Sequence, residues 1–392
     1  MKNDVHTCIY CGKDFDKAPA EHILQNSLCT KWTCDTIMCG ECQSRFGDAP
    51  DVAMGEFSKF FRAPLNIGTG RDKEKKAILS NITDDQGHKY VIKPGFLPEL
   101  LEPYIETSHD RVKIIYSANR KDHEQWGKHI AREAGYKLGD TISKEKSSNG
   151  PQQLHGKFIF DFKNICVALL KSAFNLLGAN DINLALNSAF GQIRNDLFQL
   201  NHEACIGRVA SYAPSSLPYD NYAFFAHQVY VYSKGKTVLA LIRLFGSVTF
   251  HMLLSDNYQG ENISYYYVTD PLLWKAGYHP ADSDPSIVTY LPEQLDANST
   301  FEKTQFYKNI YSGFDFFMRK FLFWGHIYPL TQTDNSETNE MLKDMLSCLI
   351  ESKYDLICEA LQMSEANNVH DIAKAVLRGV IWALNSNPPP AE

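Results

Sequence analysis

The chain has little that would carry it to or through a membrane. No run of eighteen or more apolar residues occurs in its 392 residues, and a spanning helix needs about that many. The opening Met1-Lys2-Asn3-Asp4-Val5-His6 lacks the apolar centre of a secretory leader. The expected compartment is therefore cytoplasmic, with no membrane partner. A surplus of positive charge is missing too. The 39 Lys and Arg against 46 Asp and Glu leave a formal net charge of -7, so nucleic-acid contact has to come from a local basic patch. No Walker motif, dinucleotide fingerprint, Gly-x-Ser-x-Gly elbow or internal repeat is present, which argues against P-loop enzymes, Rossmann enzymes, α/β hydrolases and solenoids.

Cysteine is present, and it is unevenly spread. Six of the ten cysteines precede residue 43. Disulfides are rare in a reducing compartment, so a cluster this dense points first to metal. Cys8-Ile9-Tyr10-Cys11 and Cys39-Gly40-Glu41-Cys42 are two C-x-x-C knuckles. Two residues between thiolates let one tight turn aim both sulfurs at a single ion, and two such turns close a tetrahedral Zn²⁺ site. Structural zinc would supply folding energy that a small core cannot. Cys29 and Cys34 are either core thiols or alternative ligands.

At 392 residues two or three domains are expected. Residues 1–60 read as a small stapled module, 61–150 as a mixed connecting region, and 151–392 as a larger α+β region. Within the last, apolar spacing predicts a buried helix from Ile165 to about Gly178 and a second over Ile182–Ile193. Strands are predicted at Phe224–Tyr232, Thr237–Phe245, Val248–Leu254 and Ile263–Val268, forming an antiparallel meander. Helices follow at about 302–327, 336–362 and 368–384, after a polar linker at 142–153 and a loop at 276–300. Tyr230, Tyr232, Tyr265, Tyr266 and Tyr267 suggest an aromatic seam, either packing or a pocket for a nucleotide signal. The helix carrying Tyr307, Ile310, Tyr311, Phe314, Phe317, Phe321 and Phe323 is expected to be buried, in the core or against another subunit.

The long gap between the knuckles holds Ala18-Pro19-Ala20-Glu21-His22-Ile23. A C-x-x-C-G-K knuckle, then Glu-His-Ile, then C-x-x-C followed by an amide residue and Phe-Gly resembles the HNH endonuclease family, in its branch with two zinc knuckles and a Glu-His motif. The matching run spans Cys8 to about Asp51. The resemblance implies a ββα-metal module and assigns roles by position. His22 becomes the general base that takes a proton from the attacking water, a task suited to an imidazole with an unperturbed pKa near 6.5. Glu21 becomes the first ligand of a catalytic Mg²⁺ or Mn²⁺, and Asp51 the second, with Asp48 in reserve. Gln43 stands where the family has an Asn that helps fix the His-bearing loop. Gln25 stands where it has a Pro.

Arg45, Lys31 and Arg62 are the first candidates for phosphate contacts, with further basic residues at Lys59, Arg71, Lys73, Lys75 and Lys76. The run over 71–76 is interleaved with acids and reads as a solvated face. The function implied is a metal-dependent endonuclease acting on DNA, in layout similar to two-domain HNH proteins that act as anti-phage effectors. Those are silent until an activating ligand or partner protein arrives, and the C-terminal region would sense a signal, dock DNA or form a homo-oligomer. Two other readings stay open: a zinc-knuckle binding module whose catalytic site has decayed, and an RNase on the same fold.

Overall fold

In a computed structural model, residues 5–95, 97–108, 111–117, 122–136, 154–212, 225–269, 271 and 303–327 are described. The linker at 142–153, the loop at 276–300 and the helices expected at 336–362 and 368–384 lie outside them.

Along the chain, β1 (His6–Thr7) pairs with β2 (Asp14–Phe15), and β3 (Glu21–His22) with β4 (Thr33–Cys34), both antiparallel. Helix α1 (Gly40–Asp48) begins directly after Cys39, and α2 (Pro50–Leu65) after Ala49. Pro50 suits the first turn of α2, where its missing N–H is no loss. Next come β5 (Leu79–Thr83), β6 (Lys89–Lys93), β7 (Leu97–Leu100), β8 (Tyr104–Ser108), β9 (Arg111–Ile115), α3 (His123–Glu133) and β10 (His155–Gly156). The remainder holds α4 (Phe162–Asn180), α5 (Ile182–Ala185), α6 (Gly191–Phe198), α7 (His202–Ile206), then β11 (Val209–Tyr212), β12 (His227–Lys234), β13 (Thr237–Leu244), β14 (Val248–Ser255), β15 (Ser264–Thr269) and α8 (Lys303–Ile327).

Compactness divides the chain into two units. One holds residues 1–55, 69–71 and 161–392, and the other 56–68 and 72–160. This differs from three consecutive segments. The N-terminal module shares a unit with α4 and the large sheet.

In the second unit an antiparallel sheet of order β10-β5-β6-β7 buries Leu79, Ile82, Tyr90, Ile92 and Leu100 together with Ala63 and Ala77. Hairpin β8–β9 carries α3, with Gly127 against Ile114. Arg62 belongs to this core. It is 5% exposed and donates to Ser58 Oγ (3.1 Å) and to the Gly68 carbonyl (3.2 Å). The expectation that it reaches a phosphate is corrected on that ground: its guanidinium satisfies the turn after α2.

In the first unit the large sheet has the order β11-β14-β13-β12-β15. The meander holds for β12, β13 and β14, but β15 turns back to pair with β12, matching Val229 with Tyr267 and Tyr230 with Tyr266. Ile263 N–H donates to Ser233 Oγ (2.8 Å), and Ser233 N–H to the Ile263 carbonyl (3.0 Å), which fixes that return. The tyrosine seam therefore splits by strand alternation. Tyr230 and Tyr232 stack at 5.0 Å on one face, near Tyr266. Tyr267 on the other face meets Trp32 at 4.7 Å.

The helix expected over 182–193 is broken. Asn187 accepts from Ala189 N–H and restarts the chain as a 3-10 turn, Ser188–Phe190, before α6. Such side chains compete with the helical backbone bond. Helix α8 buries Phe306, Ile310, Phe314 and Phe317, but Tyr311 is 69% exposed, so over these residues one side of the helix faces outward. Among the described residues no helix is long and apolar enough to cross a membrane.

Candidate active site

The first knuckle closes as a tight turn. Gly12 N–H donates to the Cys8 carbonyl (2.9 Å) and Cys8 N–H to the Lys13 carbonyl (2.9 Å). Gly12 has φ +71°, a region that costs glycine little. The second knuckle straddles the start of α1, with Gln43 N–H on the Cys39 carbonyl (3.0 Å). Ile9 N–H donates to the Ile37 carbonyl (2.9 Å) and draws the two knuckles together.

The Sγ atoms of Cys8, Cys11, Cys39 and Cys42 lie within 4.8 Å of one another, and Cys11 and Cys39 are 3.7 Å apart. A tetrahedron of thiolates about 2.3 Å from zinc has edges of about 3.8 Å, so the cluster fits the ion. Its thiols are also in conflict without a cation. The hydrogen bond from Cys42 draws Cys8 down to about 4, the same contact pushes Cys42 far up, and burial raises Cys11 to about 11. A bound dication would let all four act as thiolates. Cys29 and Cys34 stand outside the cluster, with Cys34 Sγ 3.2 Å from Thr36 Oγ1.

Glu21 and His22 sit on β3 between the knuckles, paired with Cys34 and Thr33. Asp51 lies in the first turn of α2, where the helix dipole favours a carboxylate. The structure brings Glu21 and Asp51 together on a residue that sequence reasoning did not single out. Lys171 Nζ of α4 is 2.7 Å from Glu21 Oε1, 2.9 Å from Asp51 Oδ2 and 3.1 Å from Asp51 Oδ1. Its side chain is 1% exposed and its ammonium lies 5.3 Å from the Phe46 ring centre. Burial pulls the Lys171 pKa down, but Asp51 and Glu21 more than offset it, and the net shift is upward. The lysine is charged.

Both departures from the family pattern have partners here. Gln43 Nε2 donates to Glu21 Oε2 (2.9 Å), so both oxygens of Glu21 are occupied. Gln25 Nε2 donates to the Ala168 carbonyl (2.7 Å), and Ser172 Oγ donates to Gln25 Oε1 (3.1 Å). Asn175 Nδ2 donates to the His22 carbonyl (3.0 Å) and accepts at Oδ1 from Tyr10 (2.6 Å). Ala168, Lys171, Ser172 and Asn175 thus form one stripe of α4, at i, i+3, i+4 and i+7, laid along the Glu-His segment.

His22 is partly buried, and no protein group among those described hydrogen-bonds its Nδ1. Burial, with the charges of Arg71 and Lys171, holds its pKa at about 4 against an opposing pull from Asp51. The imidazole is neutral at pH 7. Arg71 is brought here by Gly70, whose N–H donates to the Asn26 carbonyl (2.9 Å). A Cβ at Gly70 would stand 2.1 Å from the Thr30 carbonyl oxygen. Arg71 and Lys31 are exposed. Arg45 is half-buried, with one nitrogen on the Phe198 carbonyl (2.5 Å) and its guanidinium 4.6 Å from that ring's centre. Asp48 is exposed.

The carboxylates are the right donors for a hard divalent ion. As packed, however, an ammonium already sits where they converge, and they fit that lysine rather than a further cation.

Residues 8–57 match the model of the HNH endonuclease family, a group of nucleases that use divalent metals. No match was found among curated proteins or solved structures.

Proposed function

We propose that this chain is a metal-dependent HNH endonuclease that hydrolyses DNA phosphodiester bonds, with its catalytic centre closed in the state described above. The observation that carries this reading is the neutral imidazole of His22 beside two carboxylates, Glu21 and Asp51, that converge on a single cation, inside a segment that matches the family.

His22 serves as the general base toward water. With Lys171 withdrawn, Glu21 and Asp51 would hold Mg²⁺ or Mn²⁺, ions that would stabilise charge on the leaving oxygen in phosphodiester hydrolysis. Gln43 positions Glu21 through its amide. The zinc of the four cysteines would be structural, tying the turn between β1 and β2 to the start of α1. Lys31 and Arg71, both exposed, are the cations offered to phosphates, while Arg45 is committed to Phe198. An activating ligand or partner protein opens the centre.

The test is cleavage of supercoiled plasmid and of RNA by zinc-loaded Lys171→Met protein, in which the internal cation is gone, with Mn²⁺ or with EDTA, and with and without the further His22→Ala variant. The proposal expects DNA nicking that needs the metal and is lost when His22→Ala is added. Nicking that survives EDTA or His22→Ala would overturn it, and cleavage confined to RNA would move the substrate. One observation favours a second reading, a decayed zinc-knuckle binding module: both carboxylates are ion-paired from within to Lys171. That reading predicts that the carboxylates bind no divalent ion even when the lysine is removed.

A further inference from the structure

We infer that Lys171 is a resident cation occupying the position of the catalytic divalent ion, so that metal and lysine compete for one site between Glu21 and Asp51. The inference rests on the reading of those two carboxylates as metal ligands.

Three features argue for competition rather than coexistence. The ammonium has three protons, and the three short contacts run to Glu21 Oε1 and both oxygens of Asp51. The remaining oxygen, Glu21 Oε2, is held by Gln43. A divalent ion bridging the same oxygens would lie within a few ångströms of the ammonium, far inside the distance over which salt screens charge. The charge count agrees: two carboxylates and one ammonium leave a single negative charge, whereas a dication alone would balance the pair.

The alternative of a catalytic lysine fails on access. A cation that replaced the metal in the reaction would have to touch phosphate, and the Lys171 side chain is 1% exposed, beneath Phe46 and the two acids. The lysine can be withdrawn only with its surroundings. The stripe of α4 that carries it also grips Gln25 through Ala168 and Ser172, and the His22 carbonyl through Asn175. On its other side α4 packs on the five-stranded sheet. A displacement of α4 relative to β3 would therefore remove the ammonium and release the backbone of the general base in one movement.

The test is Mn²⁺ binding by the full chain, loaded with zinc beforehand and read by loss of the free-ion electron paramagnetic resonance signal. Wild type, Lys171→Met, Lys171→Gln and Lys171→Met/Glu21→Gln are compared, with zinc content and near-UV circular dichroism reporting the fold. Lys171→Gln keeps hydrogen-bond donors at the position in case Lys171→Met does not fold. The inference expects one Mn²⁺ per chain in the single variants, bound at least ten-fold more tightly than by wild type, and loss of that ion when Glu21→Gln is added. It is overturned if wild type binds Mn²⁺ as tightly as the variants, or if a folded, zinc-loaded variant gains no site. Plasmid cleavage run alongside separates the two claims. Binding without cleavage by the variants leaves the competition standing and removes the nuclease reading. His22-dependent cleavage by wild type, unchanged in the variants, does the reverse.

Discussion

Replacing Lys171 by Met should destabilise the protein far more than loss of a surface ion pair would. The substitution keeps an unbranched stem as far as Cε and removes the terminal ammonium with its charge and donors. It leaves Glu21, whose side chain is 7% exposed, and Asp51, at 31%, without their common counter-ion. Breaking a buried pair from one side costs about 3–5 kcal/mol because the other charge stays behind. Water reaches Asp51 and screens part of its charge, so about 3 kcal/mol is the expected loss. For a unit of this size, that corresponds to roughly 5 °C in Tm. Adding Glu21→Gln and Asp51→Asn to Lys171→Met should recover most of it, since neutral groups of similar volume replace a buried ionic cluster at little cost. The assay is thermal and urea unfolding of zinc-loaded protein without added Mg²⁺ or Mn²⁺. A loss below about 1 kcal/mol, the level of exposed pairs, would refute the reasoning. So would a triple variant no more stable than the single one.

Other consequences follow from the same geometry. Cys39→Ser or Cys8→Ser should abolish stoichiometric zinc binding, read by metal analysis, and loosen the turn between β1 and β2 from the start of α1; retention of one tightly bound zinc would contradict the four-cysteine site. Gln43→Ala should cost about 1 kcal/mol through the lost bond to Glu21, while Gln43→Asn, too short by one methylene, should behave more like Ala than like wild type in unfolding experiments. Gly70→Ala should detach residues 69–71 from Thr30, and should lower DNA affinity through Arg71 without changing zinc content; unchanged affinity would show that Arg71 does not face the substrate. Acid should weaken the sheet through His251, which burial holds at about 4 against 6.5 unfolded. The unfolded chain then binds more protons between those values, so this contribution is complete above about pH 6.5 and falls as pH drops, by about 3 kcal/mol at pH 4. His251→Gln should flatten that slope in unfolding measured from pH 7 to 4.5, and an unchanged slope would exclude it.

The features legible in the sequence are those that depend on near neighbours. Each C-x-x-C is a single turn, and the structure closes the two as spacing implies. Strands β12, β13 and β14 are apolar runs joined by short connections and are buried almost throughout. The fold departs from expectation where distant pairing decides. Nothing local tells β15 to lie beside β12 rather than β14; the two hydrogen bonds between Ser233 and Ile263, one of them to the serine hydroxyl, do so. Arg62 looked like a surface cation because composition does not reveal that Gly68 returns its carbonyl to the guanidinium.

The largest omission was Lys171, 120 residues from Asp51 in the chain. A signal for it exists. Within the otherwise apolar run Ile165–Gly178, Lys171, Ser172 and Asn175 fall on one face, and a buried charge needs a partner. That stripe marks where the helix meets another polar element, although the sequence does not say which. Gln25 and Gln43, which looked like departures from the family pattern, hold α4 and Glu21 respectively.

The most direct test of the central claim is plasmid nicking by zinc-loaded Lys171→Met in Mn²⁺, set against the same protein carrying His22→Ala. The account predicts nicking that requires Mn²⁺ and disappears with the histidine. A folded, Mn²⁺-bound Lys171→Met protein that leaves the plasmid intact, or one that cuts equally well without His22, would contradict it.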